Sequence, residues 1–380
     1  MRQYRTLAIL AVLVIAAGAA AFFVQRDDSG IAGSGDRLLP RLLDRLGEVV
    51  RIESTHQGDK VVLELVDGIW SVTDRHGYPA EAAEVRGLLV GAAELVRVEP
   101  KTARPEHYER LEIEDPAGAE SQSFGYVLEN AQGETVASLV VGKRRFVATA
   151  ADVDEYFVRV NGDPRVWLVS GKIPRNRRVL DWLRREVTKL DQTRVARAAV
   201  THPDGTVVRV GKSSPREADF ILEDVPEGYE VEEPFSVHAI GTAVATFTLN
   251  DVAPVDEVDF EGDGIEAVAE TFDGVRLAAR TGALGDRPFV RMDVEFDPAL
   301  VSGETTDSLL DEEAARAEVE RLSRRWEGWA FEISGYTLDN LQKKVVDMVK
   351  PVAEEATGSA PDALPAPAPV TGSEAGTDSG

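Results

Sequence analysis

The chain has 380 residues, 43% of them hydrophobic, enough for two domains with cores of their own at about 150 residues per domain. Its formal net charge is −25, which argues against a nucleic-acid binder and against docking on anionic lipid headgroups. It has no cysteine, which excludes disulfides, thiolate zinc sites, thiol nucleophiles and a lipid-anchor cysteine.

Arg2 and Arg5 precede an unbroken apolar run over residues 7–24, and Asp27 and Asp28 follow it. The run has about the length a bilayer core requires and no polar face. With the positive flank on its N-terminal side, residues 1–28 are expected to be a single-pass transmembrane anchor in the inner (cytoplasmic) membrane. The N-terminus would then be cytoplasmic and the body periplasmic or otherwise extracytoplasmic. The competing reading is a cleaved signal peptide, because Ala17-Gly18-Ala19 and Ala19-Ala20-Ala21 are small-residue cleavage sites. Apolar residues continue past both sites through Phe22, Phe23 and Val24.

The first soluble segment predicts a short amphipathic helix over 38–46. Val61, Leu63 and Leu65 then alternate with outward positions, as in a half-buried strand. Asp67-Gly68 turns that strand into Ile69-Trp70-Ser71-Val72, a hairpin. Pro79 opens a predicted helix with Val85, Leu88, Leu89, Ala92 and Leu95 on one face. Beyond Pro116, apolar runs at 124–128, 136–141, 156–160 and 166–169 predict a meander of strands.

Residues 174–190 carry an apolar stripe of Val179, Leu180, Leu183, Val187 and Leu190. Arg175, Arg177, Arg178, Arg184 and Arg185 lie on the other side. This predicts a connector helix over 171–192, packed on its neighbours or presented to a partner or membrane surface. The second half repeats the order. Strands at 207–210 and 220–222 precede a helix opened by Pro234, with Val237, Ile240 and Val244 on one face. Strands at 267–269, 275–279 and 289–294 follow. Hairpin, helix and meander thus recur, and the pattern predicts an internal repeat. Ala315, Val319, Leu322 and Trp326 mark a further helix, 329–333 a final strand, and Thr337 caps a last helix stopped by Pro351. From there to the end the chain has five prolines, five acidic residues and no Lys or Arg, a composition that predicts disorder.

The expected fold class is therefore α+β: an N-terminal transmembrane helix, two repeated β-rich modules of antiparallel sheet with one main helix each, and a disordered C-terminal tail. The expected boundaries are 1–28 for the anchor, 36–170 and 193–303 for the modules, 171–192 for the connector, 304–350 for C-terminal helices and strand, and 351–380 for the tail.

Several segments resemble the DUF4340 family, a bacterial domain of unknown function. They are Asp67-Gly68-Ile69-Trp70-Ser71-Val72, Pro79-Ala80 with the Val85-Leu88-Leu89 helix, and 134–142 with its Val-Val-Gly end. Tyr156-Phe157-Val158-Arg159-Val160, Val166-Trp167-Leu168-Val169 and the stretch 181–195 complete them. The resemblance covers roughly residues 50–300 and lies in the order of weak motifs. It departs from the family's Gly-Leu pair and proline at Leu111-Glu112-Ile113-Glu114-Asp115-Pro116. It implies an envelope accessory role, with members near ABC-type export or gliding-type transport components, and no catalytic residue to carry over.

The residues themselves carry little chemistry. His56, His76, His107, His202 and His238 lie at no metal-ligand spacing and are expected as scattered surface histidines. No Gly-x-Ser-x-Gly elbow or Ser-x-x-Lys pair occurs. Gly211-Lys212-Ser213 lacks the earlier glycine of a phosphate loop, since Thr206 holds that place. Asp259-Phe260-Glu261-Gly262-Asp263-Gly264 with Glu270 approaches a calcium loop, but Glu261 and Glu266 depart from it. No catalytic, cofactor-binding or metal residue is assigned, no cofactor is expected, and the chain is read as no enzyme. The expected function is that of a membrane-anchored scaffolding or accessory subunit that binds an envelope protein such as an ABC-type transporter. The alternatives are a glycan- or small-ligand-binding module, with Trp70, Trp167 and Trp329 clustered in a crevice, and a carboxylate-dependent hydrolase.

Overall fold

A computed structural model of the protein describes residues 35–146 and 154–352. The expected anchor at 1–28 and all but the first two residues of the expected tail lie outside the described residues. Among the described residues no helix is long and apolar enough to cross a membrane.

A short helix, α1 (Leu42–Arg45), leads into strand β1 (Val49–His56), which pairs with β2 (Asp59–Val66). Gln57 and Gly58 between them both have positive φ, the two-residue turn that matches strand twist. Asp67 and Gly68 make the same kind of turn into β3 (Ile69–Val72), so the expected hairpin forms. Pro79 does not open the helix. It ends β4 (Tyr78–Pro79), and α2 (Ala82–Glu94) begins behind Glu81, whose carboxylate accepts the Ala83 N–H at 3.3 Å. The expected face of α2 is buried through Val85, Leu88 and Ala92. Strands β5 (Val96–Pro100), β6 (Phe124–Asn130), β7 (Thr135–Arg145), β8 (Asp154–Val160) and β9 (Val166–Gly171) follow. The sheet order is β4-β3-β2-β1-β6-β7-β8-β9-β5, antiparallel at every pairing.

Past β10 (Glu186–Lys189) the second half supplies β11 (Val195–Thr201), β12 (Val207–Gly211), β13 (Ile221–Leu222), β14 (Tyr229–Val231) and α3 (Pro234–Thr242), which Pro234 does open. Strands β15 (Thr246–Thr248), β16 (Val252–Pro254), β17 (Glu266–Thr271), β18 (Val275–Leu284) and β19 (Arg287–Phe296) come next. Then follow α4 (Glu312–Trp326), β20 (Trp329–Glu332), α5 (Gly335–Gln342) and β21 (Val349–Pro351). The second sheet runs β13-β12-β11-β17-β18-β19-β20-β16, again antiparallel. In both sheets the first strand sits between its hairpin partner and the first strand of the meander; the far edge is β5, the strand after α2, in the first sheet and β16, the second strand after α3, in the second. β20, expected in a separate C-terminal segment, is an inner strand of this sheet. α5 is capped by Ser334, whose Oγ accepts the Thr337 N–H at 3.0 Å, and not by Thr337.

The connector expected as a helix over 171–192 is extended. It holds one 3-10 turn (Val179–Trp182) and then β10, which pairs with β15. Of its apolar stripe, Leu183, Val187 and Leu190 are buried, together with Trp182, in one core cluster that spans both sheets, and Val179 and Leu180 pack against it partly exposed.

Each sheet also carries a small second cluster on its opposite face. Ile113, Val140 and Val166 form one, and Ala253, Val258, Phe289 and Ala330 the other. The chain reaches these faces by lying flat on the sheet before β6 and before β17. Two glycines permit it: a Cβ at Gly142 would stand 2.4 Å from the Leu111 carbonyl oxygen, and one at Gly282 would stand 2.5 Å from that of Asp259. α4 is tied to the second sheet through buried Arg194, which pairs with Asp273 at 2.7 Å and with Glu318 on α4 at 2.7 Å.

Candidate functional site

The motifs singled out in the sequence are mostly absorbed into structure. Lys212 is buried; its Nζ donates to the Gln192 carbonyl at 3.0 Å and lies 4.3 Å from the Phe220 ring centroid. Burial lowers its pKa, and the lysine holds the loop rather than a phosphate. Asp259 caps its own turn by accepting the Glu261 N–H at 2.9 Å, while Glu270 sits within β17, 3.8 Å from Arg276. Among the described residues no group of three or more His, Asp or Glu side chains is placed to hold a metal ion. Of the connector arginines, Arg175 lies over the Phe124 ring at 4.7 Å and Arg178 pairs with Asp181 at 3.3 Å. Trp167 packs under Arg97, 4.8 Å from ring centroid to guanidinium, and Trp329 meets the edge of Tyr78 at 5.1 Å. With Trp70 these two tryptophans pack against the core, and the structure does not gather the three into one crevice.

The histidines are not all on the surface. His56 and His202 are only 7% and 6% exposed. They occupy the same place in the two sheets. β1 reads Val49-Val50-Arg51-Ile52-Glu53-Ser54-Thr55-His56, and 195–202 reads Val-Ala-Arg-Ala-Ala-Val-Thr-His, so Val-x-Arg-x-x-x-Thr-His occurs twice. Both strands carry an irregularity between the valine and the arginine, against Asn130 and Glu129 in one sheet and against Thr271 and Glu270 in the other. This repetition was visible in the sequence, and a reading by hydropathy pattern alone passes over it.

A recess opens beside each histidine. The first, of about 450 Å³, is balanced in charge: His56, Gln57 and Gln122 share it with Arg177 and Arg178 and with Asp59 and Asp181. The His56 imidazole is satisfied there, with Nδ1 2.9 Å from the Ser123 carbonyl and the ring stacked on Phe124 at 4.2 Å. The second recess, of about 590 Å³, is rimmed by Asp204, Asp259, Asp263 and Asp286, with Arg287 and Lys344. Gly264 stands where Ser123 stands in the first sheet, two residues before the partner of the strand's threonine. Nε2 of His202 is buried and has no hydrogen-bond partner among the described residues.

Arg287 links the acidic recess to the junction between the sheets. It pairs with Glu332 and, at 2.7 Å, with Asp251, which also accepts from Arg75 of the first sheet at 2.6 Å. Beside them Tyr78 is buried, donates to the Arg184 carbonyl at 3.0 Å and meets Phe331 edge-on at 6.3 Å. Burial pushes its pKa up to about 12. Burial by itself would raise the Asp251 carboxyl too, but the hydrogen bonds from Arg75, Arg287 and the Val252 N–H outweigh it and hold it low. A carboxyl held low in the folded state stabilises above its ordinary pKa, near 3.9, and that stability is lost as pH falls through the lower folded value. Asp251→Asn is therefore expected to lower the melting temperature at pH 7, with the difference from the native protein shrinking as the pH is taken below about 4. A difference that stays constant with pH would contradict the ion pair.

A third concavity lies between α3 and α5. Phe235, His238, Ala239 and Thr242 form one wall, Tyr336, Thr337 and Asn340 the other, and Phe247 part of the lining. Phe235 is 69% exposed and Tyr336 59% exposed, whereas Val237, Ile240 and Leu341 on the same helices are buried. Solvated aromatic side chains thus stand on both sides of one groove whose remaining lining is mixed, with Thr242, Thr337 and Asn340 among its polar groups.

The described body is thus an α+β protein built largely of antiparallel sheet. The chain belongs to the family described as Domain of unknown function (DUF4340), whose model matches residues 70–262, from β3 across the junction to the turn before β17. No curated protein and no solved structure matches the chain.

Proposed function

We propose that this protein is a single-pass, membrane-anchored accessory subunit whose extracytoplasmic body binds another envelope protein, such as an ABC-type transporter, through the groove between α3 and α5. The observation that carries the reading is the pair of exposed aromatics, Phe235 and Tyr336, facing one groove. Aromatic side chains that cluster in such a groove supply large contact area at low entropic cost, which is the usual composition of an interface centre. The apolar run at 7–24 supplies the tether.

We read the two sheets as products of an internal duplication, supported by their corresponding strand orders and the twice-used Val-x-Arg-x-x-x-Thr-His strand. A binding role is favoured over an enzymatic one. Asp204, in the recess, is held low by Lys344 and by Thr206, the opposite of what a general acid requires.

The test is a photo-crosslinking amino acid placed at 235 or 336 in the full-length protein in living cells. One envelope protein is expected to attach at both positions and at neither of two control positions, the exposed Arg110 and Glu120. The double variant Phe235→Ala/Tyr336→Ala is expected to lose its capture by at least about tenfold while keeping the melting temperature. Crosslinks spread equally over the groove and the controls would defeat the reading. A second reading, a ligand-binding module, is favoured by the acidic recess.

A further inference from the structure

We infer that the recess beside His202 binds an ammonium or guanidinium group carried on a short aliphatic stem. This goes beyond the groove and does not rest on it. Of its four rim carboxylates, Asp204 is engaged by Lys344 and Asp259 by the Glu261 N–H. Asp263 and Asp286 have no ion pair or hydrogen bond among the described residues. The two cations of the rim offer them nothing, since Arg287 is held by Asp251 and Glu332 and Lys344 by Asp204. The recess is therefore acidic, with two uncommitted carboxylates at its mouth.

A bare metal ion does not suit it, because the carboxylates are spread around about 590 Å³ and do not converge in a coordinating group. An organic cation does. Its several N–H donors can reach separated carboxylates, and such charge-assisted bonds are the strong ones. Ile265, Ala283, Pro288 and Leu338 offer apolar lining for the methylene stem. A second observation points the same way. His202, on the wall of the recess, is 94% buried by its 6% exposure, and its Nε2 lacks a partner. In the tautomer protonated on Nδ1 that nitrogen is an acceptor, which an N–H donor satisfies. The equivalent recess of the first sheet has neither an acidic excess nor a free imidazole nitrogen of this kind: Arg177 and Arg178 balance Asp59 and Asp181, and the His56 imidazole has the Ser123 carbonyl.

The same cationic group can come from a free amine or from a lysine or arginine side chain of a bound protein. The full-length protein in detergent is titrated with cadaverine, with the tripeptide acetyl-Gly-Lys-Gly-amide, with 1-pentanol and with magnesium. Binding is followed by calorimetry and by the imidazole resonance that is missing from His202→Gln. Saturable binding of cadaverine or the peptide is expected, with a shift of the His202 resonance. The exposed double variant Asp263→Asn/Asp286→Asn is expected to weaken it by at least about tenfold at unchanged melting temperature. Binding of cadaverine alone identifies a free amine as the source, and binding of the peptide identifies a side chain. The inference is overturned if neither binds, if the double variant binds as well as the native protein, or if pentanol or magnesium binds as tightly as cadaverine.

Discussion

Asp273→Ala is expected to lower the unfolding free energy by about 3–5 kcal/mol, read as a reduced urea midpoint at unchanged slope. The Asp273 carboxylate accepts from Arg194 Nε at 2.7 Å, Thr271 Oγ1 at 2.5 Å and the Leu310 N–H at 3.0 Å. All of this lies out of water, with Arg194 only 4% exposed. Alanine removes the acceptor of Arg194, Thr271 and Leu310 at once and leaves a buried guanidinium with Glu318 alone. Buried donors stripped of their partners carry the full desolvation cost, which is why the loss exceeds that of an ordinary hydrogen bond. Asp273→Asn keeps a single acceptor oxygen, for Thr271 on the Oδ1 side or for Leu310 on the Oδ2 side, and turns its NH2 toward the donors on the other, so it is expected to destabilise as well. Replacing Arg194, Asp273 and Glu318 together by apolar residues of similar volume is expected to recover a large part of the loss, because no charge then remains buried. An unchanged midpoint for Asp273→Ala would show that the cluster does not hold α4 to the sheet.

Two glycines one turn apart on α2 are expected to respond to alanine with opposite signs. By helix propensity alone each change should stabilise by about 1 kcal/mol. At Gly87 the nearest atoms to an added Cβ are the ring carbons of Pro174 at 3.9 Å, ordinary contact, and the propensity gain is expected in full. At Gly91 the added Cβ would stand 2.1 Å from the Lys172 carbonyl oxygen, a backbone atom. Either α2 or the segment after β9 must move, and Gly91→Ala is expected to destabilise by about 1–3 kcal/mol. Urea melts of the two variants decide the matter: equal stability, or a more stable Gly91→Ala, would mean that α2 does not pack this closely on that segment.

The recess and the groove show why candidate sites were hard to read in advance. The acidic recess takes His202 and Asp204 from the hairpin after β11, Asp259 and Asp263 from the segment before β17, Asp286 and Arg287 from the β18–β19 turn, and Lys344 from beyond α5. No local spacing joins such residues. In the sequence, Asp259 and Asp263 with Glu270 approach a calcium loop but depart from it at Glu261 and Glu266; in the fold Glu270 lies 3.8 Å from Arg276. Phe235 and Tyr336 likewise become a pair only where α3 and α5 lie side by side.

The stripe of Val179, Leu180, Leu183, Val187 and Leu190 shows the same limit for secondary structure. Its spacing fits a helix as well as it fits what forms, one 3-10 turn and a strand. The choice was made by backbone partners far along the chain: Ala80 bridges Leu183, and Thr246–Thr248 pairs with β10. Hydrogen bonds and burial at the junction of two sheets outweigh a weak local preference.

By itself the sequence determined the family and the α+β, mainly antiparallel character of the body. It also determined the strands whose apolar residues alternate, as at Val61 and Leu63, the Asp67-Gly68 hairpin, and the buried face of α2. These are local matters, settled by side-chain period and by the backbone angles that turn residues allow. Only the tertiary structure decided that β20 enters the second sheet, that the connector is extended, that His56 and His202 are buried, and which carboxylates share a recess with His202. Each of those depends on contacts between residues distant in sequence, whose free energy exists only once the two sheets have closed around one core.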